Sequence, residues 1–249
     1  MSIKTPQEIE LMREGGKRVA IVMKELSAEV KPGVTPKSIS AMAADKFKKA
    51  GLQAILLGYE GFSDVICVSV NEAIVHGLPS GKPFKDGDVV KLDLTVAYKG
   101  MVVDHAATFV VGSPQSTSIK RLVEGTQKSL YAAIDAISGE GTRVGDISAA
   151  AQKVMDDHKL GIIRDLVGHG VGHSIHEDPH IPNYGVAGTG PVLHAGDTVA
   201  IEPMASLGDW HIKTAPDQWT IEMADGSIGA HFEHTVLITE KSAEILTQI

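Results

Sequence analysis

The residues with the clearest potential for chemistry are four acids and a histidine set in strand-like, apolar contexts. Asp93 lies in Val89-Val90-Lys91-Leu92-Asp93-Leu94-Thr95-Val96, and Asp104 follows in Val102-Val103-Asp104, with Tyr98-Lys99-Gly100-Met101 between them. Gly100 suits the positive φ of a tight hairpin turn. With Lys99 and Gly100 as the two loop residues, Thr95 faces Asp104 across the ladder. Asp93 then falls on the same face as Asp104, on the diagonal. Diagonal neighbours stand roughly 7–8 Å apart at the backbone, close enough for both carboxylates to reach one site. Two acids on one apolar face repel unless a cation or proton lies between them. A wet face with both acids solvated accounts for this pair equally well.

A second acidic pair follows. Glu202 ends Thr198-Val199-Ala200-Ile201, and Glu233 lies in Ala230-His231-Phe232-Glu233-His234-Thr235, which leads into Val236-Leu237-Ile238. Four carboxylates converging in a cleft do not stay ionised without cations, and one or two divalent metals are the simplest remedy. Histidines cluster between the pairs, in Gly168-His169-Gly170-Val171-Gly172-His173-Ser174-Ile175-His176-Glu177-Asp178-Pro179. Each glycine costs a helix about 1 kcal/mol against alanine, which disfavours His169 and His173 as a helical ligand pair. Pro179 and Pro182 leave no room for the helix that a phosphate-binding glycine loop requires. An extended segment fits better, with His169 and His173 on one side and His176 further along. One histidine beside four carboxylates suits Mn, Fe, Co or Zn. His76, in Ile74-Val75-His76-Gly77, ends another strand; facing the cleft and hydrogen-bonding at its rim both remain open.

Helices must carry these strands. Thr5, Pro6 and Glu8 form a capping box and first turn. Ile9, Met12, Gly16, Val19, Met23 and Leu26 then make one buried stripe, which Lys31-Pro32-Gly33 is expected to end. A second helix is expected over 36–50, with Gly51 as its stop, and strands over 65–70 and 89–96. The later part repeats the order, with helices over 118–137 and 146–158 and then strands. Gly33, Ile39, Ala41 and Ala43 match Gly141, Ile147, Ala149 and Ala151 at constant spacing, and Gly87-Asp88-x-Val90-x-Leu92-Asp93 matches Gly196-Asp197-x-Val199-x-Ile201-Glu202. An acid closes both strands. The spacing predicts one α/β domain over 1–249, built from two related helix-sheet halves, 1–115 and 116–249, about a pseudo-twofold axis and a shared cleft.

Composition narrows the field. The 249 residues carry a net charge of -8 and a mean hydropathy of +0.04. Residues 1–115 are net +1 and 116–249 net -9. This balance argues against a non-specific nucleic-acid binder. No apolar run approaches the roughly 20 residues needed to span a bilayer. The lone Cys67 excludes a disulfide framework within the chain and a cysteine-based zinc site. A cytoplasmic protein without a signal sequence is expected, and nothing in the sequence demands an oligomer, so a monomer is expected.

The set Asp93, Asp104, His169, Glu202 and Glu233 resembles the five-ligand dinuclear site of the methionine aminopeptidases. The flanking letters are similar too: Val75-His76-Gly77, Gly168-His169-Gly170-Val171-Gly172, His176-Glu177-Asp178-Pro179, Ile201-Glu202-Pro203 and Glu233-His234-Thr235. The similarity runs over essentially the whole chain, and the short interval from His169 to Glu202 resembles the compact bacterial type I. The resemblance implies the pita-bread fold, two divalent transition-metal ions (Mn, Fe, Co or Zn) and removal of the initiator methionine from nascent proteins. It implies Asp93 on one ion, His169 and Glu202 on the other, and Asp104 and Glu233 bridging, with a bridging hydroxide as nucleophile and Glu202 as proton shuttle. His176 resembles the histidine at the scissile carbonyl oxygen, and His76 the one near the amide nitrogen. Tyr59, Phe62 and Trp219 match the aromatic wall of the methionine pocket, to which Cys67 and Ile175 are candidates to add. The family's partners, nascent polypeptide N-termini and the ribosome, are implied on the same ground. Ile175 departs from the frequent aromatic. His105 stands where a small hydroxyl residue is frequent and is expected to place another imidazole near the metals. His173 carries no family role. Two alternatives stand beside this reading: an Xaa-Pro aminopeptidase or prolidase of the same fold, and a metal-free relative that binds peptides without hydrolysis.

Overall fold

The computed structural model describes residues 3–113 and 116–249. Met1 and Ser2, and the expected boundary between the halves at Gln115, lie outside the described residues. The first half opens with α1 (Pro6–Ser27) and α2 (Pro36–Ala50), followed by β1 (Gln53–Ala54), β2 (Cys67–Val70), β3 (Ala73–Val75), β4 (Val89–Tyr98) and β5 (Met101–Val110). The second opens with α3 (Thr117–Asp135) and α4 (Val144–Asp157). Its strands are β6 (Gly161–Ile162), β7 (Val167–Gly170), β8 (Glu177–Pro182), β9 (Thr198–Ile201), β10 (Met204–Ser206), β11 (Ile212–Thr214), β12 (Ile221–Met223), β13 (Gly229–His231), β14 (His234–Ile238) and β15 (Ala243–Ile245).

Helix starts follow their caps. Thr5 and Glu8 satisfy each other's backbone N–H groups at the head of α1, and Thr35 with Ser38 does the same for α2. Gly51 ends α2 in the left-handed region at φ 67°. The end of α1 differs from expectation, because the helix stops at Ser27, before Lys31-Pro32-Gly33. Ser27 Oγ donates to the Lys24 carbonyl, and Glu29 N–H bonds to Leu26 O, so the last carbonyls find partners one turn early. Likewise α4 begins at Val144, with Asp146 in its first turn accepting from Arg143 N–H at 2.9 Å.

Each helix pair backs a sheet. In the first, β4 pairs with β5 along one edge and with β1 and β2 along the other. Met12, Val19, Leu26, Ile39 and Phe47 from α1 and α2 are buried against Val90, Leu92, Leu94 and Val96. The second sheet runs β15-β14-β9-β7-β8, and Leu122, Leu130, Ile147 and Met155 cover Val199, Ile201, Val236 and Ile238. Burying side chains of this size contributes roughly 1.5–3 kcal/mol each, the main term holding helix to sheet. The halves also exchange structure. Strand β12 pairs with β3, and Glu233 N–H donates to Ala106 O at 2.8 Å where β14 begins beside β5. This cross-pairing was not part of the two-sheet expectation, and it fastens the rim of the cleft.

Candidate active site

The β4–β5 hairpin turns through Lys99 and Gly100, at φ 49° and 89°, the pairing that keeps the twist of the flanking strands. Thr95 therefore pairs with Asp104, and Asp93 with Ala106. Asp93 and Asp104 share a face as the alternation requires. Thr95 Oγ1 donates to Asp104 Oδ1 at 2.9 Å, and His105 N–H donates to the same oxygen at 3.0 Å. Thr235 of β14 brackets the Asp104 backbone, accepting from its N–H and donating to its carbonyl. In the second half, β9 and β14 pair Ile201 with His234. Carried one residue further, that register sets Glu202 opposite Glu233. His169 enters from β7, whose neighbour is again β9. Its Nδ1 donates to Gly170 O at 2.9 Å, which leaves Nε2 as the free lone pair, 3.5 Å from Glu202 Oε1.

Ligand-type atoms of Asp104, His169 and Glu233 all lie within 4.8 Å of one another, and the three residues are buried. Asp93 and Glu202 flank this trio in the same cavity of about 130 Å³. Electrostatics of the protein alone show what such crowding costs. Burial, then Asp104 and Glu202, pushes the Asp93 carboxyl well above its usual range, and burial followed by the other acids does the same to Glu233. Burial raises Glu202 to about 8, with His169 opposing and Asp104 adding. Asp104 is also raised by burial, despite the nearby His169 and the Thr95 hydroxyl. In the protein alone these carboxylates are thus costlier to ionise than in water. Divalent cations in their place would remove both the repulsion and the desolvation penalty. Carboxylate oxygens with one imidazole are a donor set that Mn, Fe, Co and Zn all accept.

The other candidates line the same cavity: His76, His176, Tyr59, Phe62 and Trp219, together with Cys67 and Ile175. Phe62 and Trp219 meet edge to face at 5.2 Å, forming an apolar part of the cavity wall that the acids also line. Burial, followed by the charge of Asp93, pushes the Cys67 thiol up and keeps it neutral. His176 sits at the mouth, its ring edge-on to His169 at 4.6 Å and its Nδ1 3.4 Å from Tyr59 Oη. His76 follows β3 in the left-handed region at φ 57°. The next residue, Gly77, lies against β2, where a Cβ would come within 2.6 Å of Val68 O. Burial holds the His76 imidazole down at about 4, so it is neutral near pH 7.

Two histidines stand elsewhere than expected. His105 points to the opposite face of β5 from Asp104, since adjacent strand residues alternate. It stacks on His234 at 4.8 Å, and its Nδ1 bonds to Glu233 O at 2.8 Å. His173 does not share a side with His169: β7 ends at Gly170, Gly172 turns the chain at φ 143°, and His173 Nε2 lies 2.9 Å from Glu8 Oε1 on α1. Two residues were missed. His231 is wholly buried, with neither ring nitrogen hydrogen-bonded and Nε2 3.4 Å from Glu202 Oε2. Alternation from Glu233 was the signal that would have found it. Lys91 lies two residues before Asp93 with Nζ on Asn71 O at 2.8 Å, and burial lowers its ammonium to about 7. The sequence offers no local sign that a lysine here is enclosed.

With this geometry in place, comparison with known proteins defines the class. Residues 10–240 match the model of metallopeptidase family M24. The chain belongs to metallopeptidase family M24, and its architecture is the pita-bread fold. Within that class, the chain is 42% identical to methionine aminopeptidase 1 of Bacillus subtilis, over 99% of its own length and 98% of the relative's. It is 37% identical to the methionine aminopeptidase of Escherichia coli, over 99% and 94%. The crystal structure of a methionine aminopeptidase from Thermotoga maritima superimposes with a TM-score of 0.97 at 46% identity, covering both chains completely. The prolidase from Pyrococcus furiosus gives 0.78 at 26% identity, with 99% of this chain covering 65% of that one.

Proposed function

We propose that this chain is a metal-dependent aminopeptidase that hydrolyses the N-terminal methionine from polypeptides. The observation that carries the reading is the meeting, in one cavity, of five ligand-type side chains and an aromatic slot, in a chain that matches methionine aminopeptidases from end to end. Asp93, Asp104, His169, Glu202 and Glu233 would hold two divalent ions, drawn from Mn, Fe, Co and Zn. When bound, such ions supply Lewis acidity toward the scissile carbonyl and an activated water near neutral pH.

The chain's own groups do the rest. Tyr59, Phe62 and Trp219, with Cys67 and Ile175, give the methionine side chain an apolar berth, which sets the first peptide bond against the carboxylates. Glu202 is the group to accept the water's proton and return it to the leaving amine, because its carboxylate lines the cavity beside His169, within reach of the reacting atoms. His176, at the mouth, donates to the carbonyl oxygen as negative charge gathers there. His76 faces the amide nitrogen and steadies it as it leaves.

Both halves contribute: His76, Asp93 and Asp104 come from the first, His169, His176, Glu202 and Glu233 from the second. This supports a single catalytic unit over the whole chain. All of these groups lie in one chain, so the site needs no residue from a second copy, and nascent polypeptide N-termini are the substrates we propose for it. No helix among the described residues is long and apolar enough to cross a membrane, and the lone cysteine is a buried free thiol, which fits a cytoplasmic setting. Turnover of Met-Ala and Xaa-Pro peptides by the metal-loaded protein tests the reading. Preference for Met-Ala is expected; preference for Xaa-Pro would move the chain to the prolidases, and no turnover with any of the four metals would make it a binder.

A further inference from the structure

Between β7 and β8 the chain passes through a short loop that carries Ile175 and His176 to the cavity mouth. Apart from Gly172 N–H on Ser174 O at 3.1 Å, the fixings of this loop come from outside it. Glu177 Oε1 accepts the N–H groups of His173 and Ser174, at 2.6 and 3.1 Å. Its other oxygen, Oε2, accepts Lys4 Nζ at 2.7 Å, with the two side chains only 2% and 11% exposed. Lys4 is itself anchored by its N–H on Gly196 O at 3.0 Å. Its stem packs so tightly on the loop that a Cβ at Gly172 would sit 2.3 Å from Lys4 Cε. Burial alone would raise the Glu177 carboxyl, yet the Lys4 ammonium and the two loop N–H groups hold it below its ordinary range. One turn along, Glu8 reaches His173, so the N-terminal segment meets the loop twice.

We propose that Lys4 is a positioning residue for hydrolysis: its ammonium fixes the Glu177 carboxylate, and that carboxylate fixes the loop that presents His176 to the substrate carbonyl. Without the ammonium, a nearly buried carboxylate has reason to turn toward water. The His173 and Ser174 N–H groups then lose their acceptor, and the adjacent His176 ring loses its set position. Small displacements of a catalytic group are expensive in rate even when binding is unchanged. The inference rests on the role given to His176 above.

Lys4→Met, Lys4→Arg, His176→Ala and the Lys4→Met/His176→Ala double variant test it in the metal-loaded full chain. Lys4→Met should lower kcat on a Met-Ala peptide by roughly 10- to 100-fold, with KM and metal affinity within about twofold of wild type and most of the loss restored by Lys4→Arg. In the His176→Ala background, Lys4→Met should cost almost nothing further, because both act through one imidazole. Amide hydrogen exchange at 173 and 174 should quicken in Lys4→Met without substrate present. Wild-type kcat in Lys4→Met, or a full additional loss in the double variant, would overturn the proposal, as would unchanged exchange. Wild-type turnover by His176→Ala would instead remove the role of His176, and the exchange measurement would still decide whether Lys4 holds the loop.

Discussion

Replacing Asp104 by asparagine separates the charge of the site from its shape. The asparagine carbonyl keeps both acceptor positions of Oδ1, toward Thr95 Oγ1 and His105 N–H, so the hairpin and the fold should survive. What disappears is one negative charge within 4.8 Å of the Glu233 carboxylate. At that separation two ionised carboxylates repel by about 3.5 kcal/mol at an effective dielectric of 20, a repulsion that adds to burial in raising the Glu233 carboxyl. The metal-free variant should therefore ionise its remaining acids at lower pH than wild type. Metal entry at pH 7 would then displace fewer protons, while affinity should fall because one of the proposed ligands is gone. Isothermal titration with Mn(II) or Co(II), in two buffers of different ionisation enthalpy, reads both quantities. Weaker binding by at least roughly 100-fold, fewer protons released and no turnover of a Met-peptide are expected. Near-normal turnover, or unchanged proton release with unchanged affinity, would refute the bridging position of Asp104.

Other outcomes follow from the same geometry. His76→Ala should lower kcat by roughly 100-fold while metal affinity, read by titration, stays nearly constant; the reverse pattern would make His76 a ligand. Phe62→Ala removes the edge-to-face partner of Trp219 and should reduce kcat/KM for Met-peptides by roughly tenfold or more, with peptides bearing less apolar N-terminal residues affected least; an equal loss for all substrates would place Phe62 in the scaffold. Glu202 has its folded pKa raised from an ordinary 4.5 to about 8, so its stabilising share in the metal-free protein is complete below about pH 4.5 and lost as pH rises through 8. Buried neutral His105, His231 and His234 act in the opposite sense below about pH 6.5. Lys91, lowered by burial to about 7, adds stability as pH rises above 7 and opposes Glu202 there. The thermal midpoint with chelator present should therefore fall between pH 6.5 and 7, and added metal should flatten that slope; a midpoint rising over that interval would contradict the assigned burial.

The parts of the site that could be read from sequence are those fixed by local rules. A two-residue turn and a period of two place Asp93 with Asp104 before any tertiary contact is known. The same period sets Glu202 and Glu233 beside one another once β9 and β14 are paired. The helix starts at Pro6 and Pro36 are equally legible, the first from the Thr5 cap as well as from its proline, since both signals are short-range. Nearness along the chain is a poor guide to direction in space. His105 adjoins Asp104 in sequence and faces away from it, and His173 was carried past Gly172, where the extended chain ends. The pairing of β12 with β3 had no local signature, because no turn joins those strands. Trp219, just before β12, meets Phe62, a contact that the family resemblance implies and no local rule does. His231 was within reach of the alternation rule. Lys4 was not, because its partner Glu177 lies on a distant loop.

The central claim is that five ligand-type side chains from two halves of the chain surround one bimetallic pocket. Anomalous diffraction from crystals grown with Mn(II) or Co(II), recorded on both sides of the metal edge, tests it most directly. The account predicts two peaks enclosed by Asp93, Asp104, His169, Glu202 and Glu233, with Asp104 and Glu233 touching both. Peaks elsewhere, with these carboxylates turned to bulk solvent, would contradict it.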